Sequence, residues 1–259
     1  MLTSRCSLIT GSVAGLGFAV AQNLARNGSN VILNALCPTE EGHAAAERLA
    51  AATGAGVVFD SADLRDVSQI ERMMADAAAR FGRVDILVNN AVVRNFARIE
   101  AMTANQWNTS LAVNLSAAFH LSRLALPAMR ANGWGRIINI SSIYGLRATP
   151  ERIDYITTKT ALLGLTRAIA IETADAGITC NALCPGTILT EAISSRIHTI
   201  AADKGMPVAE VMQNFSSRHP TGRFVDLDHV GALVTFLCSP AGRDITGATL
   251  PIDGGWQAG

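Results

Sequence analysis

Tyr155 and Lys159 stand four residues apart in the run Asp154-Tyr-Ile-Thr-Thr-Lys159. On a helix that spacing puts both side chains on one face. An ammonium beside a phenol favours the tyrosinate and lowers its pKa. Such a phenol can give or take a proton near neutral pH. Thr149-Pro150 reads as the helix start, a hydroxyl at the cap followed by a residue that needs no NH. Ser142 follows the apolar run Ile137–Ile140, where a hydroxyl at a strand end can hydrogen-bond a substrate oxygen. Taken alone, a Tyr-x-x-x-Lys pair is more often a surface feature than a catalytic one. The case for chemistry rests on the elements around it.

Those elements alternate. Ser7–Thr10 reads as a strand running into Thr10-Gly-Ser-Val-Ala-Gly15-Leu-Gly17 and then an alanine-rich helix to about Arg26. Glycines at such a turn let the backbone approach a pyrophosphate, and the helix N-terminus offers free amides. Further strands are expected at Asn30–Asn34, Val57–Phe59, Ile86–Val88, Ile137–Ile140, Ile178–Leu183 and Thr249–Ile252. Helical patterns lie between them. Thr103-Ala-Asn-Gln106 is a capping box that opens a long helix through Asn114 to about Asn132. The alternation predicts an α/β fold: one doubly wound, Rossmann-type domain over residues 1–259, with a mostly seven-stranded parallel sheet. Ligands then bind at the carboxyl ends of the strands. The glycine turn, Asp63, Asn89–Val92, Ser142 and Pro185-Gly186 all follow strands and fall on that edge. Residues 190–215 leave the sheet and are broken at Gly205-Met-Pro207, which suits a lid over substrate.

Composition narrows the class. Of the 259 residues, 49% are hydrophobic, enough for a substantial core, and the net charge is zero. That balance gives no electrostatic case for nucleic acid or an anionic membrane. No apolar run is long enough to span a bilayer, and no apolar leader precedes Leu8-Ile9. Cys6, Cys37, Cys180, Cys184 and Cys238 form no Cys-x-x-Cys pair, which suits reduced thiols and a cytoplasmic protein. Metal-binding motifs are absent, so no metal is expected.

As a set, Thr10-Gly11-x-x-x-Gly15-x-Gly17, Asp63, Asn89-Asn90-Ala91, Asn114, Ser142, Tyr155-x-x-x-Lys159 and Pro185-Gly186 resemble the short-chain dehydrogenase/reductase family over almost the whole chain. Within it the chain is most similar to the bacterial D-3-hydroxybutyrate dehydrogenases, through Val31-Ile-Leu-Asn34, Gly135-Arg-Ile-Ile-Asn-Ile140 and Asp253-Gly-Gly-Trp256. The resemblance implies reversible hydride transfer between a nicotinamide and a secondary alcohol or ketone. Tyr155 is then the general acid or base, and Lys159 lowers its pKa and holds the nicotinamide ribose. Ser142 orients the substrate oxygen, and Asn114 helps hold a relay water. Asp63, with Leu64 beside it, contacts the adenine. The dinucleotide site also takes in Thr10, Gly11, Gly15, Leu16 and Gly17, then Leu36 and Asn90, and finally Pro185, Gly186, Ile188 and Thr190. Family members are commonly homotetramers.

Two positions depart from the pattern. Val92 stands where the family usually has glycine, and a branched side chain there could demand a different backbone angle. The positions that hold a small carboxylate in the resembled dehydrogenases read Arg94, Tyr144, Arg152 and Arg196. Guanidinium grips a carboxylate through two parallel hydrogen bonds, so an anionic substrate is expected, with Arg152, three before Tyr155 and on the same face if the helix has begun, pointing toward the reacting carbonyl. Three such groups exceed the need of one carboxylate and would suit a larger or doubly charged acid. After strand two the chain reads Asn34-Ala-Leu36-Cys37, with no cation there or among Ser12–Ala14. A 2′-phosphate would be uncompensated, so NAD(H) is expected over NADP(H). The expected activity is oxidoreduction of a small 3-hydroxy or 3-keto acid such as 3-hydroxybutyrate. The alternatives are another family substrate (a cyclic ketone, a dihydrodiol or a 3-ketoacyl thioester) and, more remotely, a non-catalytic dinucleotide-binding protein.

Overall fold

A computed structural model describes residues 2–258. Each expected strand forms, and each is followed by a helix or by the edge of the site. The first half runs β1 (Cys6–Thr10), α1 (Gly15–Arg26), β2 (Asn30–Asn34), α2 (Thr39–Thr53), β3 (Val57–Asp60), α3 (Val67–Phe81) and β4 (Ile86–Asn89). Then come α4 (Ala104–Leu111), a π turn (Ala112–Ser116), α5 (Ala117–Ala131) and β5 (Gly135–Ile140). The rest is α6 (Ile153–Glu172), β6 (Ile178–Pro185), α7 (Glu191–Lys204), α8 (Val208–Ser216), α9 (Leu227–Cys238) and β7 (Thr249–Ile252).

The strands form one seven-stranded parallel sheet in the order β3-β2-β1-β4-β5-β6-β7. This is the doubly wound architecture expected from the alternation. Strand residues point alternately to the two faces, and both faces are covered. On β1, Ile9 joins Val20 and Leu24 of α1, Leu49 of α2, and Val230 and Val234 of α9. Its neighbour Leu8 joins Ile70 and Met73 of α3, Leu121 and Met129 of α5, and Ile169 of α6. That double burial explains why the strands read as unbroken apolar runs. The order turns at β1 and β4, where connections leave in opposite directions and open a crevice at the strand ends.

Local signals decide most helix ends. Asp66 caps α3 by accepting from the Ser68 amide, and Asp226 caps α9 by accepting from the Asp228 amide. Thr103 and Gln106 form the expected capping box at α4. The excursion over 190–215 consists of α7 and α8, joined at Gly205 with φ of 61° and packed through Ile197, Ala201, Val211 and Phe215.

Two expectations need correction. The helix of Tyr155 does not start at Thr149-Pro150. It starts at Ile153, with Arg152 in the cap position. The chain at 149–152 instead pairs with the segment after β4: the Ala97 amide donates to the Glu151 carbonyl, and Glu151 takes a left-handed φ of 63°. A residue in that conformation ends a helix begun at the proline. The long helix through Asn114 is likewise interrupted, by the π turn that carries Asn114 itself.

Candidate active site

Buried polar ties fix α6 on the sheet. The Asn89 amide donates to Asn139 Oδ1, and Asn139 donates in turn to Thr166 Oγ1 on α6, at 2.8 and 2.9 Å. Nearer the strand ends, Ser141 Oγ donates to the Lys159 carbonyl at 2.7 Å, and Lys159 Nζ donates to the Ile140 carbonyl at 2.7 Å. Gly145 lies in the turn Ile143–Gly145 that follows Ser142. A Cβ there would come within 2.9 Å of the Lys159 carbonyl oxygen and 2.5 Å of Ser141 Oγ. Close approach of this turn to α6 therefore needs glycine.

The result is a buried Tyr155, 6% exposed, beside a buried Lys159, 2% exposed. Burial by itself pushes the phenol up. Lys159, then Arg94, the Ser142 hydroxyl and Arg152 outweigh it and hold Tyr155 below its ordinary value. Burial acts the other way on the ammonium and pushes Lys159 down to about 8, against the pull of Tyr155. A phenol so placed is a proton donor and acceptor. Ser142 Oγ accepts from the Tyr144 amide at 3.1 Å, which leaves its own O–H free to donate.

Across the cavity from this pair lies the glycine turn. Thr10 Oγ1 accepts from the amides of Asn90 and Ala91, both at 3.0 Å. Asn90 Nδ2 donates back to the carbonyls of Thr10 and Gly11. Ser12 Oγ accepts from the Asn34 amide and ties the turn to β2. A Cβ at Gly11, whose φ is 61°, would meet Ala91 Cα at 2.8 Å. One at Gly17 would strike the Gly11 carbonyl oxygen and Asn90. The turn is thus packed tightly against the first turn of α1, whose cap residue Ala14 offers no side-chain acceptor to the helix amides. Amides left open at a helix N-terminus, lined by glycine, fit a dinucleotide pyrophosphate.

The loop after β4 is held by Asn114. Its Oδ1 accepts from the Val93 amide at 2.8 Å, and Nδ2 donates to the Val93 carbonyl and to Thr158 Oγ1. The π turn lets one buried carboxamide reach both the loop and α6. Val92 itself has an ordinary negative φ, so the branched side chain sits there without backbone strain. After β6, the Thr187 amide donates to His219 Nε2 at 2.9 Å, and His219 leaves no room for a side chain at Gly186.

All this encloses a cavity of about 640 Å³. Of the residues named from sequence, Gly11, Leu16, Gly17 and Asn90 line it, as do Pro185, Gly186, Ile188 and Thr190. Ser142, Tyr144, Tyr155 and Lys159 line it too, with Arg94, Arg152 and Arg196 near the Tyr155 ring or the adjoining Phe96. Thr10, Gly15, Leu36, Asp63, Leu64 and Asn114 lie outside the wall. Thr10 and Asn114 act on it through the hydrogen bonds above. Leu36 is 69% exposed. The Arg65 guanidinium grips both Asp63 oxygens and holds that carboxyl below the usual range.

Sequence reasoning missed several wall residues. Phe96, Arg218 and the side chain of Trp256 complete the arginine-rich end. Arg152 lies over the rings of Phe96 and Tyr155, at 4.2 and 4.5 Å from guanidinium carbon to centroid. Arg196 lies over Phe96 at 3.6 Å, and Arg218 over Phe215 at 4.4 Å. No local pattern marks Arg218; only the packing of α8 against the cavity brings it in.

The chain is similar to known proteins over nearly its whole length. The family model described as enoyl-(acyl carrier protein) reductase matches residues 11–257. The D-beta-hydroxybutyrate dehydrogenase of Cupriavidus necator is 40% identical over 259 residues, the whole of both chains. The protein of the same name from Rhizobium meliloti is 38% identical, covering 98% of this chain and 99% of its own. A 3-oxoacyl-acyl-carrier-protein reductase of Staphylococcus aureus is 31% identical over 98% of this chain and 99% of its own.

The contact at Gly145 makes the spacing of Ser142 and Tyr155 testable. Gly145→Ala must push the turn off α6, because the nearest atoms include the Lys159 backbone. Misplacement of reacting groups on the ångström scale costs on the order of 10²-fold. Steady-state turnover of the variant is expected to fall by about tenfold or more while its circular dichroism stays that of a folded chain. Turnover equal to the wild type would show that the turn does not set the geometry.

Proposed function

The chain belongs to the short-chain dehydrogenase/reductase family, nicotinamide-dinucleotide-dependent oxidoreductases of CH–OH groups, and on that premise we propose that it interconverts a small 3-hydroxy acid such as 3-hydroxybutyrate and the 3-keto acid, with NAD(H). The observation that carries this reading is the arginine-lined end of the cavity around Tyr155. A carboxylate held by Arg152 would present a neighbouring secondary alcohol to the phenol. The names of the two dehydrogenase relatives support the same substrate.

In the oxidation direction, Tyr155 as tyrosinate takes the proton of the substrate hydroxyl. Ser142 donates to the substrate oxygen and fixes its orientation. Lys159 keeps the tyrosinate accessible at working pH by its charge. Asn114 positions Val93, and so the loop that carries Arg94. The glycine turn and Lys159 would hold the dinucleotide, which when bound would supply the hydride acceptor for the substrate carbon. In reduction Tyr155 returns the proton to the carbonyl oxygen. Glycine packing at Gly11 and Gly17 and the open amides of α1 provide the pyrophosphate cradle. We further take the enzyme to work as a homotetramer in a cytoplasm, where burial keeps Cys6, Cys180 and Cys238 as inert thiols with values pushed up to about 12.

The preference for NAD(H) rests on the end of β2. The nearby guanidiniums are already committed: Arg65 to Asp63 and Arg72 to Asp60 and Asp76. A 2′-phosphate would meet these carboxylates and no free cation in the Asn34–Cys37 segment. Catalytic efficiency with NADH is therefore expected to exceed that with NADPH for reduction of one ketone, and the reverse order would refute the assignment.

The reaction itself is tested by incubating the enzyme with NAD and each enantiomer of 3-hydroxybutyrate and following NADH absorbance. One enantiomer should be oxidised, and Tyr155→Phe should lower turnover by at least about 10²-fold, the usual cost of removing a positioned general acid or base, with dinucleotide binding retained. A Tyr155→Phe enzyme turning over at the wild-type rate would exclude the mechanism. Turnover of neutral ketones but of no acid would exclude the substrate class.

A further inference from the structure

Four guanidiniums enter the cavity from four separate segments. Arg94 comes from the loop after β4, Arg152 from the cap of α6, Arg196 from α7 and Arg218 from the turn after α8. None of the four has a carboxylate partner or a side-chain hydrogen bond among the described residues. Elsewhere arginines do pair with acids, as Arg5 and Arg83 do with Asp85, and Arg123 does with Glu71. The cavity cations are held instead by rings. Arg152 and Arg196 both lie on Phe96, so they are close neighbours of like charge. Arg218 lies on Phe215 and faces Trp256 at 6.0 Å. The buried Nε of Arg152 has no acceptor at all.

Clustering like charges without counterions costs free energy, and a buried donor without an acceptor costs more. Ring stacking offsets part of that cost and leaves the planar donors aimed at a ligand. One carboxylate has two oxygens and one charge. It can satisfy one guanidinium bidentately, or share itself between two. It cannot neutralise four. The four form a row: Arg94 and Arg152 lie over the Tyr155 ring, at 5.7 and 4.5 Å, Arg196 shares Phe96 with Arg152, and Arg218 stands on Phe215 after α8.

We propose that the substrate of this enzyme is a hydroxy diacid. One carboxylate is held by Arg94 and Arg152 beside Tyr155, and a second acidic group at the far end of the molecule by Arg196 and Arg218. The inference deepens the reading of this cavity as the site of a 3-hydroxy acid and rests on it. Burial lowers both Arg152 and Arg196, Arg94 adds to it at Arg152 against the pull of Tyr155, and Arg152, Arg218 and Arg94 add to it at Arg196, which agrees with a site prepared for more than one negative charge.

The test compares mono- and diacids of matched chemistry. The enzyme is assayed with NAD and 3-hydroxybutyrate, 3-hydroxyglutarate or 3-hydroxyadipate. The unreactive anions butyrate, glutarate and adipate are titrated by calorimetry into the enzyme saturated with dinucleotide. The better hydroxy diacid should exceed 3-hydroxybutyrate in kcat/KM by at least about tenfold, the low end for an added charge-assisted hydrogen bond. Glutarate or adipate should bind tighter than butyrate by the same factor. Arg218→Ala, at an exposed side chain, should cost the diacids more than the monoacids and leave the dinucleotide Kd unmoved. Butyrate binding as tightly as both diacids would overturn the proposal, as would a loss in Arg218→Ala that falls on dinucleotide binding alone. Oxidation of 3-hydroxybutyrate without any diacid advantage would overturn only this inference. Tight diacid binding without turnover of any 3-hydroxy acid would overturn the proposed reaction and keep the diacid site.

Discussion

The pairing of a buried phenol with a buried ammonium governs this structure. Either group alone would be pushed toward its neutral form by the loss of water. Together, with Arg94 and Arg152 near the ring, they leave Tyr155 more acidic than an ordinary tyrosine. Buried hydrogen bonds hold α6 against the sheet where the pairing forms. Asn139 ties the helix to β5 through Thr166, Ser141 takes the Lys159 carbonyl, and Lys159 reaches back to Ile140. Each of these bonds is buried, where an unmatched partner would cost roughly 1–3 kcal/mol. The catalytic geometry and the packing of α6 are therefore one problem solved by the same residues.

The sheet supplies the other half of the site. In a parallel sheet every strand delivers its carboxyl end to one edge, so β1, β4, β5 and β6 can each contribute a short segment to one cavity. Thr10 and Asn90 lock the ends of β1 and β4 together with four hydrogen bonds. Glycine is demanded where those segments crowd, at Gly11 and Gly17 near the cradle and at Gly145 near Lys159. The same edge admits variation away from the crowding, and that is where the arginines have collected.

How much could be read from the sequence follows from how local each signal is. Strands buried on both faces declare themselves as short apolar runs, and the Tyr155–Lys159 spacing is a property of one helix. The sheet and most of the cavity wall were accordingly legible. Features fixed by distant partners were not. Thr149-Pro150 looks like a helix start, but Ala97 captures the chain at Glu151. Asn114 looks like a residue of one long helix, but bonds to Val93 and Thr158 go with a π turn. Asp63 sits after β3 as expected, yet Arg65 two residues on takes up its carboxylate. Arg218 carried no signal in the sequence and is known only from its packing on Phe215.

The depressed acidity of Tyr155 can be measured directly, because the chain has only two tyrosines, Tyr144 and Tyr155. Tyrosinate absorbance is followed as pH rises in the wild type and in Tyr155→Phe, and the difference isolates one phenol. The account predicts a midpoint below the ordinary tyrosine value of about 10, moving upward in Arg94→Gln as a cation is removed. A difference curve with its midpoint at or above about 10 would contradict it, since burial would then have won over Lys159 and the arginines.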